Sequence, residues 1–320
     1  MPTAEPARSA PQPAAAAGEL EFASEGATLR GRLTLPAGGH PVPTIVMAHG
    51  FSATARGMTA DRYAAAFADA GFGTFLYDHR GFGQSGGEPR GEVNTWIQAR
   101  GYRDALDLVA PLPGVREDRL ALWGDSFSGG VALGVAAVDA RVTALLLIAP
   151  ACGRDVQPDD PDGELYARMR ERMLVGDPRA SAPEWRGPMP VVSVHPESES
   201  AALPVASAFD WFTEYGLRPG TGWENRVVLT APRRDTWHPM IWAAHVRAAT
   251  CTILGAGDDM PGASAFAARR TFELLAGRKE LHEVDGGHFG MLRYPSAVFD
   301  RAAAIQVAFL RGLEGSAATM

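Results

Sequence analysis

The chain contains almost no lysine and almost no cysteine. Its 30 basic residues include a single lysine, Lys279, and its 320 residues include two cysteines, Cys152 and Cys251. The scarcity of lysine leaves little room for Schiff-base chemistry or a lysine general base. Two cysteines so far apart cannot supply the disulfide framework of a small secreted domain. We therefore expect two buried free thiols in a reducing compartment.

The sequence also lacks a membrane-spanning run, a signal peptide and an excess of positive charge. The longest near-apolar stretch, 131–152, is interrupted by Asp139 and Arg141, and residues 1–18 lack a cationic start followed by an apolar segment. A formal net charge of −7 disfavours nucleic acid and anionic membranes as partners, because both require a basic patch. We expect a soluble, cytoplasmic protein with a disordered tail over residues 1–18.

Apolar strand patterns alternate with helical patterns through most of the chain. The strand patterns cover residues 19–23, 28–35, 44–48, 74–77, 120–123, 142–149, 250–254 and 281–284. The helical patterns cover residues 59–70, with Thr59 as the expected N-cap, and 93–109, 129–138, 264–275 and 297–310. Continuous apolar strands separated by helices are typical of a parallel sheet covered on both faces. The predicted fold class is therefore α/β, with a mostly parallel eight-stranded sheet.

Residues 153–246 break this alternation. The segment is rich in Pro, Asp, Arg and Trp, and its helical patterns are confined to 164–173 and 207–215. A structureless loop of this length is uncommon in a compact domain, so we expect an inserted, mainly helical cap over 153–246. The two segments 19–152 and 247–320 then form the core.

The strongest chemical signal follows the strand pattern at 120–123. Here the sequence continues Gly124-Asp125-Ser126-Phe127-Ser128 into a glycine-rich helix start. A nucleophile elbow needs this context, because a serine on a strained strand-to-helix turn requires small neighbours. We predict Ser126 as the nucleophile. Ser128 stands where the usual pattern has glycine, and its small size is expected to keep the turn.

A second loop, His49-Gly50-Phe51, follows an earlier strand pattern. In an elbow enzyme such a loop offers one backbone N–H to the developing oxyanion, and the residue after the nucleophile offers another. We assign these donors to Phe51 and Phe127. His49 and the stretch 78–85 are expected to have structural roles in loops beside the site.

The remaining triad members are expected in the chain order serine, acid, histidine. Asp258 and Asp259 directly follow the strand pattern at 250–254, and His288 lies in a glycine-flanked loop after the last strand pattern. A carboxylate would hold the imidazole in the required tautomer. We predict His288 as the general base and prefer Asp258 as the acid, with Asp259 as the alternative.

Together these motifs resemble a bacterial α/β-hydrolase with a helical cap, from residue 21 to the C-terminus. The stretches 49–52, 78–90 and 258–263 are similar to the branch near X-Pro dipeptidyl-peptidase-like and dienelactone-hydrolase-like enzymes, which also includes fungal polyketide thiohydrolases and acyltransferases. The resemblance implies an α/β-hydrolase fold and a small-molecule acyl substrate, an ester or a thioester, with no cofactor and no metal.

The predicted function is therefore a serine hydrolase that forms an acyl-enzyme on Ser126, with a bulky apolar or polyketide-like substrate. An acyltransferase and a carbon–carbon bond hydrolase remain alternatives, because they use the same triad. A non-enzymatic ligand receptor on the same fold is an alternative of another class. Dehalogenases and epoxide hydrolases are disfavoured, because they carry an aspartate where this chain has Ser126. The physiological acyl group, the acceptor and the oligomeric state stay open.

Aromatic residues are concentrated in the segment predicted as the cap. Helical i,i+4 spacing places Trp211 and Tyr215 on one face, and Phe212 adjoins them. We consider these three as candidate substrate contacts, since ligand pockets are commonly lined by aromatic side chains. The competing interpretation is that they form the core of the cap itself.

Overall fold

A computed structural model describes residues 17–153, 158–178, 184–195, 200–231 and 237–317. The strands are β1 (Ala17–Ser24), β2 (Ala27–Thr34), β3 (Val42–Ala48), β4 (Gly73–Tyr77), β5 (Glu92–Val93), β6 (Val115–Asp125), β7 (Val142–Ile148), β8 (Glu184–Met189), β9 (Val227–Ala231), β10 (Ala249–Gly255) and β11 (Lys279–Val284). The helices are α1 (Ala60–Asp69), α2 (Thr95–Val109), α3 (Ser126–Val138), α4 (Glu164–Leu174), α5 (Ala206–Gly216), α6 (Pro239–Ala243), α7 (Ala265–Leu274), α8 (Gly287–Gly290) and α9 (Ala297–Ala317).

Eight strands form the central sheet in the order β1-β2-β4-β3-β6-β7-β10-β11. The pairs β1–β2 and β2–β4 are antiparallel, and the remaining pairs are parallel. The predicted mostly parallel eight-stranded sheet is confirmed. Because parallel strands end at one edge of a sheet, the loops after β3, β6, β10 and β11 all meet at that edge.

Alternate residues of β6 face the two helical layers that cover the sheet. Leu120 and Leu122 belong to the core cluster that includes α2 and α3, whereas Trp123 belongs to the cluster that includes α1 and α9. The Trp123 ring lies 5.2 Å from the Tyr63 ring, and its indole N–H donates to Gln306 Oε1 at 3.1 Å. The period of two along the strand thus buries both faces of the sheet.

The starts of three helices differ from the sequence prediction. Thr59 precedes α1 but does not cap it, because its buried hydroxyl donates to the Leu292 carbonyl at 2.6 Å. Asn94 is the residue that caps α2, by accepting from the N–H groups of Trp96 and Ile97. Helix α3 begins at Ser126, three residues before the predicted start.

The segment 153–246 contains strands as well as helices. Strand β9 pairs with β8 on one side and with β5 on the other, in a separate three-stranded sheet. The sequence analysis did not predict this sheet, although Val227-Val228-Leu229-Thr230 has strong β propensity. Helix α4 contacts α2, and α5 contacts α8. Of these helices, α5 is therefore the one next to the loop that carries His288.

The predicted tail over residues 1–18 lies outside the described residues, except for Ala17 and Gly18. These two residues belong to β1, where they pair with Thr34 and Leu33. Within the described ranges, none of the helices combines the length and the apolar composition that crossing a bilayer requires.

Candidate active site

Three side chains from the ends of three strands meet at one edge of the sheet. His288 Nε2 lies 2.9 Å from Ser126 Oγ, and His288 Nδ1 lies 2.7 Å from Asp258 Oδ2. The side chains of His288 and Asp258 are only 1% and 5% exposed, whereas Ser126 is half-buried. In this geometry His288 can take the Ser126 proton while Asp258 holds the opposite ring nitrogen in its protonated form.

The turn that presents Ser126 is strained. Ser126 has a φ of 48°, in the left-handed region that non-glycine residues seldom adopt. A Cβ on Gly124 would lie 2.6 Å from the main-chain carbonyl of Ser128, so only glycine lets β6 pass this close to α3. The structure therefore has the local geometry that the sequence pattern of an elbow predicts.

The two candidate acids have different partners. Asp258 contacts His288 and accepts a second hydrogen bond from Met260 N at 2.9 Å. Asp259 accepts from the Ser207 hydroxyl, on the residue after the start of α5. A backbone hydrogen bond from Gly287 N to Ala256 O, at 3.0 Å, joins the acid loop to the histidine loop. The structure thus brings Asp258, and not Asp259, to the histidine.

The predicted oxyanion donors, Phe51 and Phe127, lie side by side at the cleft. Their rings make an edge contact with centroids 5.8 Å apart, and both residues border the cavity beside Ser126. Within the described part of the chain, neither N–H donates a backbone hydrogen bond outside regular helix or strand pairing. Neither group is therefore committed to such a backbone acceptor in the described chain.

A cleft beside Ser126 encloses about 490 Å³ of empty space, part of which is open to solvent. Most of its walls are apolar. It is lined by Gly50, Phe51, Ala53, Asp125, Ser126, Phe127, Ala151, Leu203, Trp211, Phe212, Met260, Pro261, Ala263, His288, Phe289 and Leu292. Several of these residues were missed in the sequence analysis, although many of them adjoin a triad residue along the chain.

Two of the three candidate substrate residues reach this cleft, and Tyr215 does not. Trp211 and Tyr215 do share a helix face, with ring centroids 5.4 Å apart. One further turn of α5 carries Tyr215 away from the cavity, where its hydroxyl accepts from Tyr294 N at 2.8 Å. Trp211 also has a structural contact, because its indole N–H donates to the Leu292 carbonyl at 2.7 Å.

Asp125 is the cleft residue whose importance the sequence analysis missed. It precedes Ser126 and is 6% exposed. Burial raises the pKa of its carboxyl to about 7, against the opposing effects of His288 and of the N–H groups of Asp125 and Gly50. The nearby hydroxyls of Tyr63 and Tyr102 are un-ionised, since burial raises the pKa of each. Asp125 therefore adds a carboxyl that changes charge near neutral pH.

The loop at 78–85 is held by a buried carboxylate. Asp78 accepts hydrogen bonds from Ala55 N at 2.7 Å and Gln84 N at 2.9 Å. His49 lies beside it, and burial lowers the pKa of His49. His49 Nδ1 donates to the Gly50 carbonyl at 3.0 Å, and His49 Nε2 accepts from the His79 main-chain N–H at 3.3 Å. These contacts support the structural roles expected for both segments.

Comparison with known proteins agrees with this geometry. A family model described as serine aminopeptidase, S33, matches residues 39–181. The crystal structure of the α/β-hydrolase GrgF from Penicillium is similar, with a TM-score of 0.69 and 26% identity over 92% of this chain and 98% of that one. The chain has the α/β-hydrolase fold.

Curated relatives of this chain include a thiohydrolase and a polyketide transferase. A thiohydrolase of Aspergillus aculeatus is 29% identical over 309 residues, covering 92% of each chain. A polyketide transferase of Penicillium crustosum is 27% identical over 319 residues, covering 92% of this chain and 96% of that protein. These homologues support a hydrolase or an acyl-transferring enzyme. In the part of the chain described by the structure, no cluster of His, Cys, Asp and Glu could hold a metal ion.

Replacing Asp125 by asparagine is expected to stabilise the α/β-hydrolase more at pH 8 than at pH 5. In the unfolded chain the carboxyl ionises near its ordinary pKa of 3.8, whereas in the folded protein it ionises near 7. Between these values the folded wild type binds one more proton than the unfolded chain. Its free energy of unfolding therefore falls as pH rises, and the loss is complete above pH 7. Urea unfolding of both proteins at several pH values measures the effect. If the free energies of unfolding of the wild type and the variant showed the same pH dependence, the raised pKa of Asp125 would be contradicted.

Proposed function

We propose that this protein is a serine hydrolase that cleaves an ester or thioester through an acyl-enzyme on Ser126. The observation that carries the proposal is the continuous hydrogen-bonded chain from Ser126 Oγ through His288 to Asp258, with links of 2.9 and 2.7 Å. A chain of this kind activates a serine hydroxyl, which is otherwise a weak nucleophile at neutral pH. Its position beside an apolar cleft supports an acyl substrate.

In the proposed mechanism, His288 Nε2 takes the Ser126 proton as the serine oxygen attacks the substrate carbonyl carbon. The N–H groups of Phe51 and Phe127 stabilise the oxyanion that forms. When the carbonyl re-forms, the bond to the leaving group breaks, and His288 returns its proton to the leaving alcohol or thiol. Water, activated by the same histidine, then attacks the acyl-enzyme and releases the acid.

Two arguments favour a thioester with a bulky acyl group. The relatives include thiohydrolases, and the cleft walls are built mainly from large apolar side chains. We further propose that 153–246 acts as a cap over this cleft, since Leu203, Trp211 and Phe212 of that segment line it. Disorder of residues 1–16 and the outer limits of the cap stay predictions, whereas the predicted tail was wrong for Ala17 and Gly18, which lie in β1.

An acyltransferase is the second candidate. It would form the same acyl-enzyme and release the acyl group to another nucleophile instead of water. Relatives described as polyketide transferases favour it. Mass spectrometry of products formed with and without an added alcohol or amine would distinguish transfer from hydrolysis.

Ser126→Ala is expected to abolish both thioester cleavage and labelling by a fluorophosphonate probe, because the serine oxygen is the group that bonds to either reagent. Activity with a series of acyl thioesters and intact-mass analysis measure the two effects. Ser52→Ala is a matched control, since Ser52 is buried nearby and its hydroxyl has no hydrogen-bond partner within the described chain. Probe found on Ser128 or Ser85 would overturn the assignment, and an unlabelled wild type would favour a non-enzymatic receptor.

Asp258→Asn is expected to lower turnover by about 10⁴, because His288 loses the carboxylate that fixes its tautomer. Asp259→Asn is the matched control on the neighbouring residue, and it removes only the acceptor of the Ser207 hydroxyl. Steady-state kinetics of both variants measure the difference. A larger loss in the Asp259 variant would show that the acid is assigned to the wrong residue.

Phe212→Ala is expected to lower kcat/KM for long-chain acyl thioesters by about 10–200-fold while changing acetyl thioester cleavage little, because it removes apolar wall from the cleft. Phe212 tests the cleft wall more specifically than Trp211, because the Trp211 indole N–H also donates a hydrogen bond to the Leu292 carbonyl. Tyr215→Phe serves as the control outside the cleft. A wild type that prefers acetyl over every larger group would exclude a large acyl pocket, and a uniform loss across chain lengths would assign Phe212 to folding.

A further inference from the structure

Ser128, the residue that departs from the usual elbow pattern, is completely buried between the elbow and the His49 loop. Its hydroxyl donates to the His49 main-chain carbonyl and lies 2.8 Å from His79 Nε2. The hydroxyl carries one proton, which it gives to the carbonyl, so His79 Nε2 must be the donor in the second bond. Ser128 thus connects three segments that are distant in sequence.

The protonation of His79 agrees with this arrangement. His79 Nδ1 is buried and has no hydrogen-bond partner within the described residues, so a proton there would be a buried unsatisfied donor. Burial and the adjacent His49 hold the pKa of His79 well below its usual value. His79 is therefore neutral, with its proton on Nε2. Its main-chain N–H in turn donates to His49 Nε2 at 3.3 Å.

The hydrogen bonds that join Ser128 to His49 and His79, here called the bridge, lie just beyond the last residue pair of β3 and β6. Strands β3 and β6 pair up to Ala48 and Gly124, and beyond these residues the chain turns into the His49 loop and the elbow. The two segments stay close, because a Cβ on Gly50 would lie 2.6 Å from Asp125 Oδ2. A side-chain hydrogen bond from Ser128 to His49 O continues the connection past the last strand pair.

These two segments carry the two proposed oxyanion donors. Phe127 N–H adjoins Ser128 in the chain, and Phe51 N–H lies two residues after His49. We propose that Ser128 is a positioning residue, whose hydrogen bonds to His49 and His79 fix the separation of the two N–H groups that bind the oxyanion. Alanine or glycine at this position would leave the His49 carbonyl and His79 Nε2 without these partners. The inference rests on the proposed acyl-enzyme function.

Oxyanion stabilisation depends steeply on geometry, and loss of one donor costs about 10²–10³ in kcat. Displacing two donors without removing either should cost less. We expect Ser128→Ala to lower kcat about 10–100-fold with KM unchanged within about twofold. The same variant should bind a trifluoromethyl ketone, whose adduct with Ser126 places an oxyanion in the site, more weakly by the same factor. A purely structural role would not produce this matched loss.

Ser128→Cys is the second variant, because the somewhat larger thiol still fills the site but is a weak donor. It should fold if Ser128→Ala does not, and its losses in kcat and ketone affinity should be smaller but equal to each other. Ser52→Ala, which removes a buried hydroxyl with no partner among the described residues, should leave both quantities unchanged. Circular dichroism at the assay temperature verifies folding.

Two results would overturn the proposal. Folded Ser128 variants with wild-type kcat would show that the bridge does not position the donors. A fall in kcat without any loss of ketone affinity would place the effect outside the oxyanion site. If the wild type itself neither cleaves thioesters nor binds the ketone, the proposed function fails, and the inference on Ser128 fails with it. An active wild type with unaffected Ser128 variants would contradict the inference on Ser128 alone.

Discussion

The site depends on the close approach of strand β6 and helix α3 at the turn that carries Ser126. The turn leaves no room for a side chain at Gly124, and it holds Ser126 at a positive φ of 48°. Such strain persists only where the surrounding structure over-determines the conformation. Here the strand pairing of β6 on both sides, the packing of Trp123 and the hydrogen bonds of Ser128 hold the turn. The serine is consequently presented at the sheet edge in a fixed direction.

The position of His288 is fixed by a different set of contacts. The segment after His288 is held through its main-chain carbonyls, which accept hydrogen bonds from side chains of α5 and of the region around the start of α1. Thr59 and Trp211 donate to Leu292 O, and Tyr63 donates to Met291 O. These donors are buried, and each would be left unsatisfied if the loop moved. Packing of the core layers therefore determines where the imidazole lies.

Local sequence patterns predicted the sheet, the elbow and the order of the triad, because each of these follows from short-range rules. Strand periodicity, small residues around Ser126 and post-strand loops for Asp258 and His288 are all visible in a few consecutive residues. The contacts that were not predicted are tertiary. Thr59 has the composition of an N-cap and instead bonds a carbonyl 233 positions away. Tyr215 has the correct helical spacing, but only the position of α5 along the cleft could show that it lies outside.

The roles of the acidic residues also depend on tertiary contacts and burial, which the sequence does not show. Asp258 and Asp259 are equivalent in composition, and their roles are separated only by which partner, His288 or Ser207, each one meets. Asp125 is an ordinary elbow residue in the sequence, and only its burial raises its pKa to about 7. On the proposed mechanism this matters, because an ionised carboxyl beside the nucleophile would oppose the negative charge of the oxyanion.

On the proposed mechanism, the choice between hydrolysis and transfer depends on what reaches His288 after the acyl-enzyme forms. The His288 side chain is only 1% exposed, so an attacking molecule must enter through the cleft, whose walls include Phe51, Leu203 and Met260. An acyl chain that fills these apolar walls displaces the water that would hydrolyse it. A second nucleophile with an apolar body would then compete more favourably than water, since the burial of its own surface helps it bind. Acyl groups too short to fill the cleft would leave water in place, so the size of the acyl group and the fate of the acyl-enzyme are linked through the same walls.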